Sequence, residues 1–159
     1  MASEQAAVQL KRVIAIMANK SQNEMYCERY INWSGAPGPF PPPINADGVV
    51  EFSTFGTKGA VLYNGPPDVA KYQSAWLLAW NAPGLSPGPA PNKVYVTCGT
   101  KTDIDNITDK EILERLEASS SESKDSDAYT RTFVTANIKG LSPIDPVIGA
   151  IGVTFGTTA

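Results

Sequence analysis

Histidine is absent from all 159 residues. With it go the commonest general base and the commonest metal ligand at neutral pH, so Ser-His-Asp, Cys-His and imidazole-metal chemistry are excluded within the chain. Cysteine is scarce: Cys27 and Cys98 stand alone. They lie far apart, each inside a predicted strand, and two free buried thiols are expected rather than a disulfide framework. No apolar run approaches the ~20 residues needed for a membrane-spanning helix. Basic residues are not in excess, with 13 Lys and Arg against 16 Asp and Glu. No basic cluster is interleaved with aromatics, which argues against nucleic acid as a partner. Met1 to Gln5 has neither the basic nor the apolar region of a secretory leader. The expectation is a chain that is cytoplasmic as synthesised, which leaves room for action outside the producing cell. Three Asn-x-Ser/Thr sequons, at Asn19, Asn32 and Asn106, therefore carry no weight.

What the chain does contain is an apolar content of 42% in a length that suits one domain with a real core. The expected division is a short flexible or amphipathic lead over residues 1–11 and one β-sandwich domain over residues 12–159. Short runs rich in β-branched and aromatic residues recur between Gly, Pro and Asn: Arg12 to Ala18, Met25 to Trp33, Gly48 to Thr54, Ala60 to Asn64, Ala75 to Asn81, Lys93 to Cys98, Thr130 to Lys139 and Val147 to Phe155. Such punctuation predicts a mainly β protein, a sandwich or barrel. The glycines of the last run mark bulges or close backbone approach. Trp76 and Trp80 are four apart, hence on one side of a strand, and are expected in the core. Thr108-Asp109-Lys110-Glu111 is a capping box, with Ile107 and Ile112 at the staple spacing. It predicts one short helix, about 109–118, with Ile112, Leu113 and Leu116 on the sheet. Ser119 to Asp127 is polar and of low complexity, and a mobile loop is expected. Nine acidic against three basic residues from Asp103 to Asp127 make the acidity local, a solvated face.

No catalytic pattern declares itself, and the reading is non-enzymatic, with no cofactor and no metal. Asp103 to Thr108 with Glu114 imitates a calcium loop superficially. Thr108 stands where glycine is needed and Ile107 where an oxygen ligand is needed, so the match fails. The aromatics are the better candidates. Ser34 to Pro43 and Ala82 to Pro91 are Pro/Gly loops that lose little entropy on presenting a surface. Trp33 and Phe40 stand at or within the first, Leu85 within the second, and Tyr30 and Tyr72 join them as candidate ligand or membrane contacts. At the N-terminus the helical spacing of Leu10, Val13, Ile14 and Met17 offers a candidate insertion stripe, while Val13, Ala15 and Met17 alternate as a strand does.

Taken in order, Asn32-Trp33-Ser34-Gly35, Pro41-Pro42-Pro43-Ile44 with Asp47-Gly48, Gly59-Ala60-Val61-Leu62-Tyr63, Ala75-Trp76-Leu77-Leu78-Ala79-Trp80 and Asn92-Lys93-Val94-Tyr95 resemble the plant jasmonate-induced protein family. The match covers most of Asn19 to Gly99. The layout of Arg12 to Ile16, Gly59 to Trp80, Asn92 to Gly99, the Asp109 helix and a last strand ending near Phe155 is also similar to actinoporins and fungal fruit-body lectins. That second resemblance implies a compact actinoporin-like β-sandwich with the helix packed on it. Together they imply a plant-type defence or stress protein that binds a membrane lipid or a pest-derived surface, with toxin-like, insecticidal membrane activity and homo-oligomerisation on the membrane as the fuller expectation. A glycan-binding lectin of the same fold and a stress protein without a small ligand are the alternatives. Two departures from the actinoporin pattern are visible: Gly84 to Pro91 has no aromatic residue and the Asp109 helix has no tyrosine.

Overall fold

A computed structural model describes residues 11–35, 38–67, 72–83, 91–140 and 147–158. Among the described residues nine strands run in chain order: β1 Arg12–Lys20, β2 Tyr26–Ser34, β3 Val49–Phe55, β4 Lys58–Asn64, β5 Ser74–Asn81, β6 Lys93–Thr100, β7 Glu122–Asp127, β8 Thr132–Gly140 and β9 Val147–Thr157. Between β6 and β7 lie two helices, α1 Lys101–Asp105 and α2 Asp109–Glu117. One sheet has the order β3-β1-β9-β8-β7 and the other β2-β4-β5-β6. Every pairing is antiparallel except β1 with β9, which run parallel side by side from Arg12 opposite Val147 to Lys20 opposite Gly156. The mainly β sandwich of two sheets agrees with the expectation from sequence.

Alternation builds the first sheet. In β1, Val13, Ala15, Met17 and Asn19 face inward and are fully buried, while Ile16 on the other side is half exposed. β4 and β5 read as continuous apolar runs because both of their faces are covered. Val61, Tyr63, Trp76, Leu78 and Trp80 enter the core between the sheets, whereas Ala60, Leu62, Ala75, Leu77 and Ala79 lie under Ile104, Ile112 and Leu116 of the helices. Trp76 and Trp80 are therefore on one side, in the core. Each ring is held at its polar end, Nε1 of Trp80 donating to the Gly56 carbonyl at 2.9 Å and Nε1 of Trp76 to that of Gly156 at 3.2 Å. Gly59 faces Trp80 across the ladder, and a Cβ there would stand 2.9 Å from the indole ring and 2.5 Å from the Ile31 carbonyl. Only glycine allows that approach. The irregularity expected near the β9 glycines occurs once, where successive residues Arg12 and Val13 face Val147 and Gly149.

The capping box forms as read: Thr108 Oγ1 accepts from the Glu111 amide at 3.2 Å and Glu111 Oε1 accepts from the Thr108 amide at 3.4 Å. α2 ends with Ala118 as its C-cap. Two expectations need correction. The helical region holds a second helix, α1, capped by Thr100, whose side chain accepts from the Asp103 amide at 3.2 Å. The polar stretch expected as a mobile loop from Ser119 to Asp127 contains an edge strand, β7. Its inward side chains are polar because the groups they meet on β6 are polar: Ser123 Oγ accepts from the Val96 amide, and Asp125 Oδ2 accepts from Thr97 Oγ1 at 2.9 Å and the Cys98 amide at 3.2 Å. These bonds fasten the edges of the two sheets together.

Candidate functional site

The strands leave two ends. At one end lie the β1–β2 turn, the start of β5, the β7–β8 turn and the end of β9. At the other lie Arg12, the chain after Ser34, the β3–β4 turn, Asn81, Lys93 and Val147. Among the described residues, the aromatic candidates divide between them and do not form one site.

Phe40 is 57% exposed, at the second end, on the segment that passes from β2 to β3. Its ring meets that of Tyr30 edge-on, with centroids 6.5 Å apart and planes at 76°. Tyr30 in turn leans on Phe55 at 5.7 Å, and Phe55 on Trp80 at 4.4 Å. An exposed aromatic is thus braced through a relay of rings to the centre of the core. Such edge and tilted contacts add to what burial alone supplies, and they hold the outer ring in place. The Tyr30 hydroxyl is buried and, among the described residues, has no hydrogen-bond partner of good geometry. Burial pushes its pKa up, against a smaller opposite pull from the amides of Gly38 and Gly56. Gly38 lies against β3 so closely that a Cβ would stand 2.3 Å from the Thr54 carbonyl, which fixes the path of the chain leading to Phe40.

Trp33 is part of β2 rather than of a loop, and its ring belongs to the cluster beneath the helices with Ile31, Tyr95 and Ile107. Tyr30 belongs to the cluster between the sheets, so the two point to opposite sides of β2. Tyr72 lies at the first end, its ring 5.0 Å from that of Tyr129 and its hydroxyl donating to the Tyr129 carbonyl at 3.1 Å. Leu85 and Leu10 fall outside the described residues. Val13 and Met17 are fully buried in a strand hydrogen-bonded on both sides, and Ile14 is half-buried on its outer face. As placed, these three cannot meet a membrane as one stripe: the strand's period of two sends Ile14 to the side opposite Val13 and Met17.

Among the described residues no group of His, Cys, Asp and Glu is placed to hold a metal ion, and no helix is long and apolar enough to cross a membrane. The residues of the supposed calcium loop form α1 and the cap of α2 instead. Both cysteines are free. Burial pushes the Cys27 thiol up to about 12 and the Cys98 thiol up to about 11, so neither carries appreciable thiolate near neutrality.

Compared with known proteins, the chain matches no family model. It is 28% identical over 153 residues to a jasmonate-induced protein homolog of Atriplex canescens, a match spanning 89% of this chain and 80% of that protein. The chain resembles the jasmonate-induced proteins. Among solved structures, the lipid binding protein Nakanori superposes with a TM-score of 0.65, over 99% of this chain and 79% of that one, at 12% identity. At that identity the likeness is one of fold. It agrees with the two-sheet sandwich described above.

Proposed function

We propose that this is a non-enzymatic plant stress or defence protein that docks on a membrane lipid surface through its Phe40 end. The observation that carries the reading is the exposed Phe40 ring, braced by Tyr30 and Phe55 where the inter-sheet core reaches the surface. A ring held out of the molecule by rings behind it has little freedom to lose on entering an interface. The likeness to a jasmonate-induced protein homolog supports the stress context, and the fold shared with a lipid-binding protein supports the ligand class. Membrane damage of a toxin-like, insecticidal kind, with self-association on the bilayer, is a further step within this reading. It would have to proceed without extracting β1, whose unpairing from both β3 and β9 would expose the core.

Sedimentation with liposomes of phosphatidylcholine, sphingomyelin and sterol tests the docking, and dye release from the same liposomes tests the damage. Burying a phenyl ring is worth about 1.5–3 kcal/mol, so Phe40→Ala is expected to weaken partitioning by at least about tenfold. Trp33→Phe is expected to leave it unchanged. Wild-type protein that stays in the supernatant with every composition defeats the reading, as does full binding by Phe40→Ala. Binding without release leaves docking in place and removes the toxin-like step.

A further inference from the structure

The two outer sides of the sandwich are finished differently. The helices cover that of the four-stranded sheet, packing Ile104, Ile112 and Leu116 on Ala60, Leu62 and Leu77. The outer side of the five-stranded sheet is open: Ile16, midway along β1 and flanked by a paired strand on each side, is 51% exposed. We propose that two copies of the chain pair in solution through this open face, about a two-fold axis that runs along the strands.

The contact centres on a knob beside a hole. Ile16 lies level with Gly152 on the adjacent strand β9. Among the described residues nothing calls for glycine at that place. A Cβ would stand 3.6 Å from its nearest neighbour, the Asn137 carboxamide, which is ordinary contact, and the backbone is not left-handed. Gly156 on the same strand is different, since a Cβ there would meet the Phe133 ring at 2.3 Å. A strand glycine that its own chain does not require weakens the strand and marks a close approach by another group. One step along, Ile14 lies level with Ala150, again large beside small.

Symmetry then fixes the arrangement. For Ile16 to enter the hollow over the partner's Gly152, β1 must lie over β9 of the other copy with the rows level. A two-fold along the strands, between β1 and β9, does this and seats the second Ile16 in the first copy's hollow at the same time. A two-fold across the strands would lay β1 on β1 and leave both hollows empty. Sheets stacked face to face keep their strands within about 30° of each other, which the first arrangement satisfies because β1 and β9 run parallel.

Charge and area agree. The same operation lays β3 over β8 of the other copy. Glu51, level with Ile16 on β3, comes over the partner's Asn137 and beside the partner's Lys139. Neither Glu51 nor Lys139 has an ion-pair partner among the described residues, and each gains one, twice over by symmetry. Four overlapping strands at a spacing of ~4.8 Å, about nine residues long at ~3.4 Å each, give a footprint of about 600 Å² a side. The total of about 1,200 Å² stands at the lower limit for a specific interface, which sets the expected strength in the micromolar range.

The inference does not rest on the lipid-docking reading, although such a pair would point both Phe40 ends the same way. Sedimentation velocity of the full chain from about 1 to 200 µM, without lipid, should show monomer passing to dimer with a Kd of about 10 µM. Ile16→Asp should weaken pairing by at least about a hundredfold, because symmetry removes two side chains at once, and should leave Tm unchanged. Gly152→Val fills the hollow and should also give a monomer, with a Tm equal to or above that of the parent. Glu51→Lys should weaken the dimer by about tenfold, and Glu51→Lys with Lys139→Glu should restore it. Removal of residues 2–10 should leave the dimer intact. A chain that stays monomeric to about 200 µM overturns the proposal, as does a dimer that Ile16→Asp and Gly152→Val leave unchanged. A monomer whose Tm falls on Ile16→Asp has this face covered from within its own chain, and a dimer lost with residues 2–10 is joined by the lead; either result overturns it too. Phe40→Ala should leave the dimer unchanged, which separates failure here from failure of the lipid reading.

Discussion

Asn19→Ala should destabilise the protein far more than an asparagine near a strand end would suggest. Asn19 is fully buried, and its carboxamide uses all of its capacity: Nδ2 donates to the carbonyls of Asn23 at 2.8 Å and Ile44 at 3.0 Å, while Oδ1 accepts from the amide and hydroxyl of Ser21 at 2.9 and 2.7 Å. Four bonds at about 0.5–1.5 kcal/mol each set the scale. Two of the abandoned partners find another donor: the Ile44 carbonyl still accepts from the Met25 amide, and the single Ser21 hydroxyl proton, released from Oδ1, passes to the Asn23 carbonyl. The Ser21 amide keeps none among those described, so a loss of about 3 kcal/mol is expected. With a urea m-value near 2 kcal/mol/M, the unfolding midpoint followed by tryptophan fluorescence should fall by about 1.5 M. Asn19→Asp sharpens the test. It keeps the acceptor for Ser21 but turns a buried carboxylate toward two carbonyls, so its deficit at pH 7 should match or exceed that of alanine and should shrink as the carboxyl protonates toward about pH 4. A midpoint shift below about 0.3 M for alanine, or an Asp variant indifferent to pH, would refute the reasoning.

Trp80→Phe removes the Nε1 bond to Gly56 and leaves a void beside Phe55, at a cost of about 3 kcal/mol. For a domain of this size that corresponds to roughly 10 °C in Tm by calorimetry, and a drop of less than about 3 °C would show that the indole is not a keystone. The cysteines give a pH dependence. Their folded pKa values are raised, by burial first, from the ordinary 9.0 to about 12 for Cys27 and about 11 for Cys98. The stabilisation is complete below pH 9 and is lost as pH rises through the folded values, because the unfolded thiols release their protons first. Urea midpoints should therefore decline between about pH 9 and 11, less so in a Cys98→Ala variant, and a thiol reagent at pH 8 should label the folded protein only slowly. Rapid labelling of both thiols without denaturant would contradict the burial.

The strands most legible in the sequence are those with an apolar side. β1, β5 and β6 begin and end within two residues of expectation, because Val13, Trp76 and Val96 and their alternates leave a period-two trace. β7 left no such trace. Its inward residues Ser123 and Asp125 meet amides and a hydroxyl of β6 rather than the apolar core, so the alternation is of polar with polar, and hydrophobic periodicity is blind to it. α1 was hidden differently. Thr100 ahead of Asp103 is a cap signal of the same kind as Thr108 ahead of Glu111, but a helix of one turn has too few apolar residues to show a stripe. Only Ile104 of α1 is buried.

Standing beside the same Pro/Gly loop does not bring Trp33 together with Phe40, for a reason of strand geometry. Tyr30 and Trp33 are three positions apart on one strand, and an odd separation sends side chains to opposite faces, so only Tyr30 could support Phe40. The meeting of residues at the other end was invisible for the opposite reason. Asn23, Ser74 and Thr157 stand on three separate connections or strand ends, and no local pattern links them. They meet because β9 returns parallel to β1 and so finishes beside the β1–β2 turn, while Trp76 Nε1 draws the start of β5 to the Gly156 carbonyl at that same end. An antiparallel last strand would have carried Thr157 to the Phe40 end. That end of the sandwich is thus a consequence of topology, and the exposed ring a consequence of sequence. Substitutions at Asn23 or Ser74 and at Phe40 should therefore act independently on stability, since these residues lie at opposite ends of the sandwich.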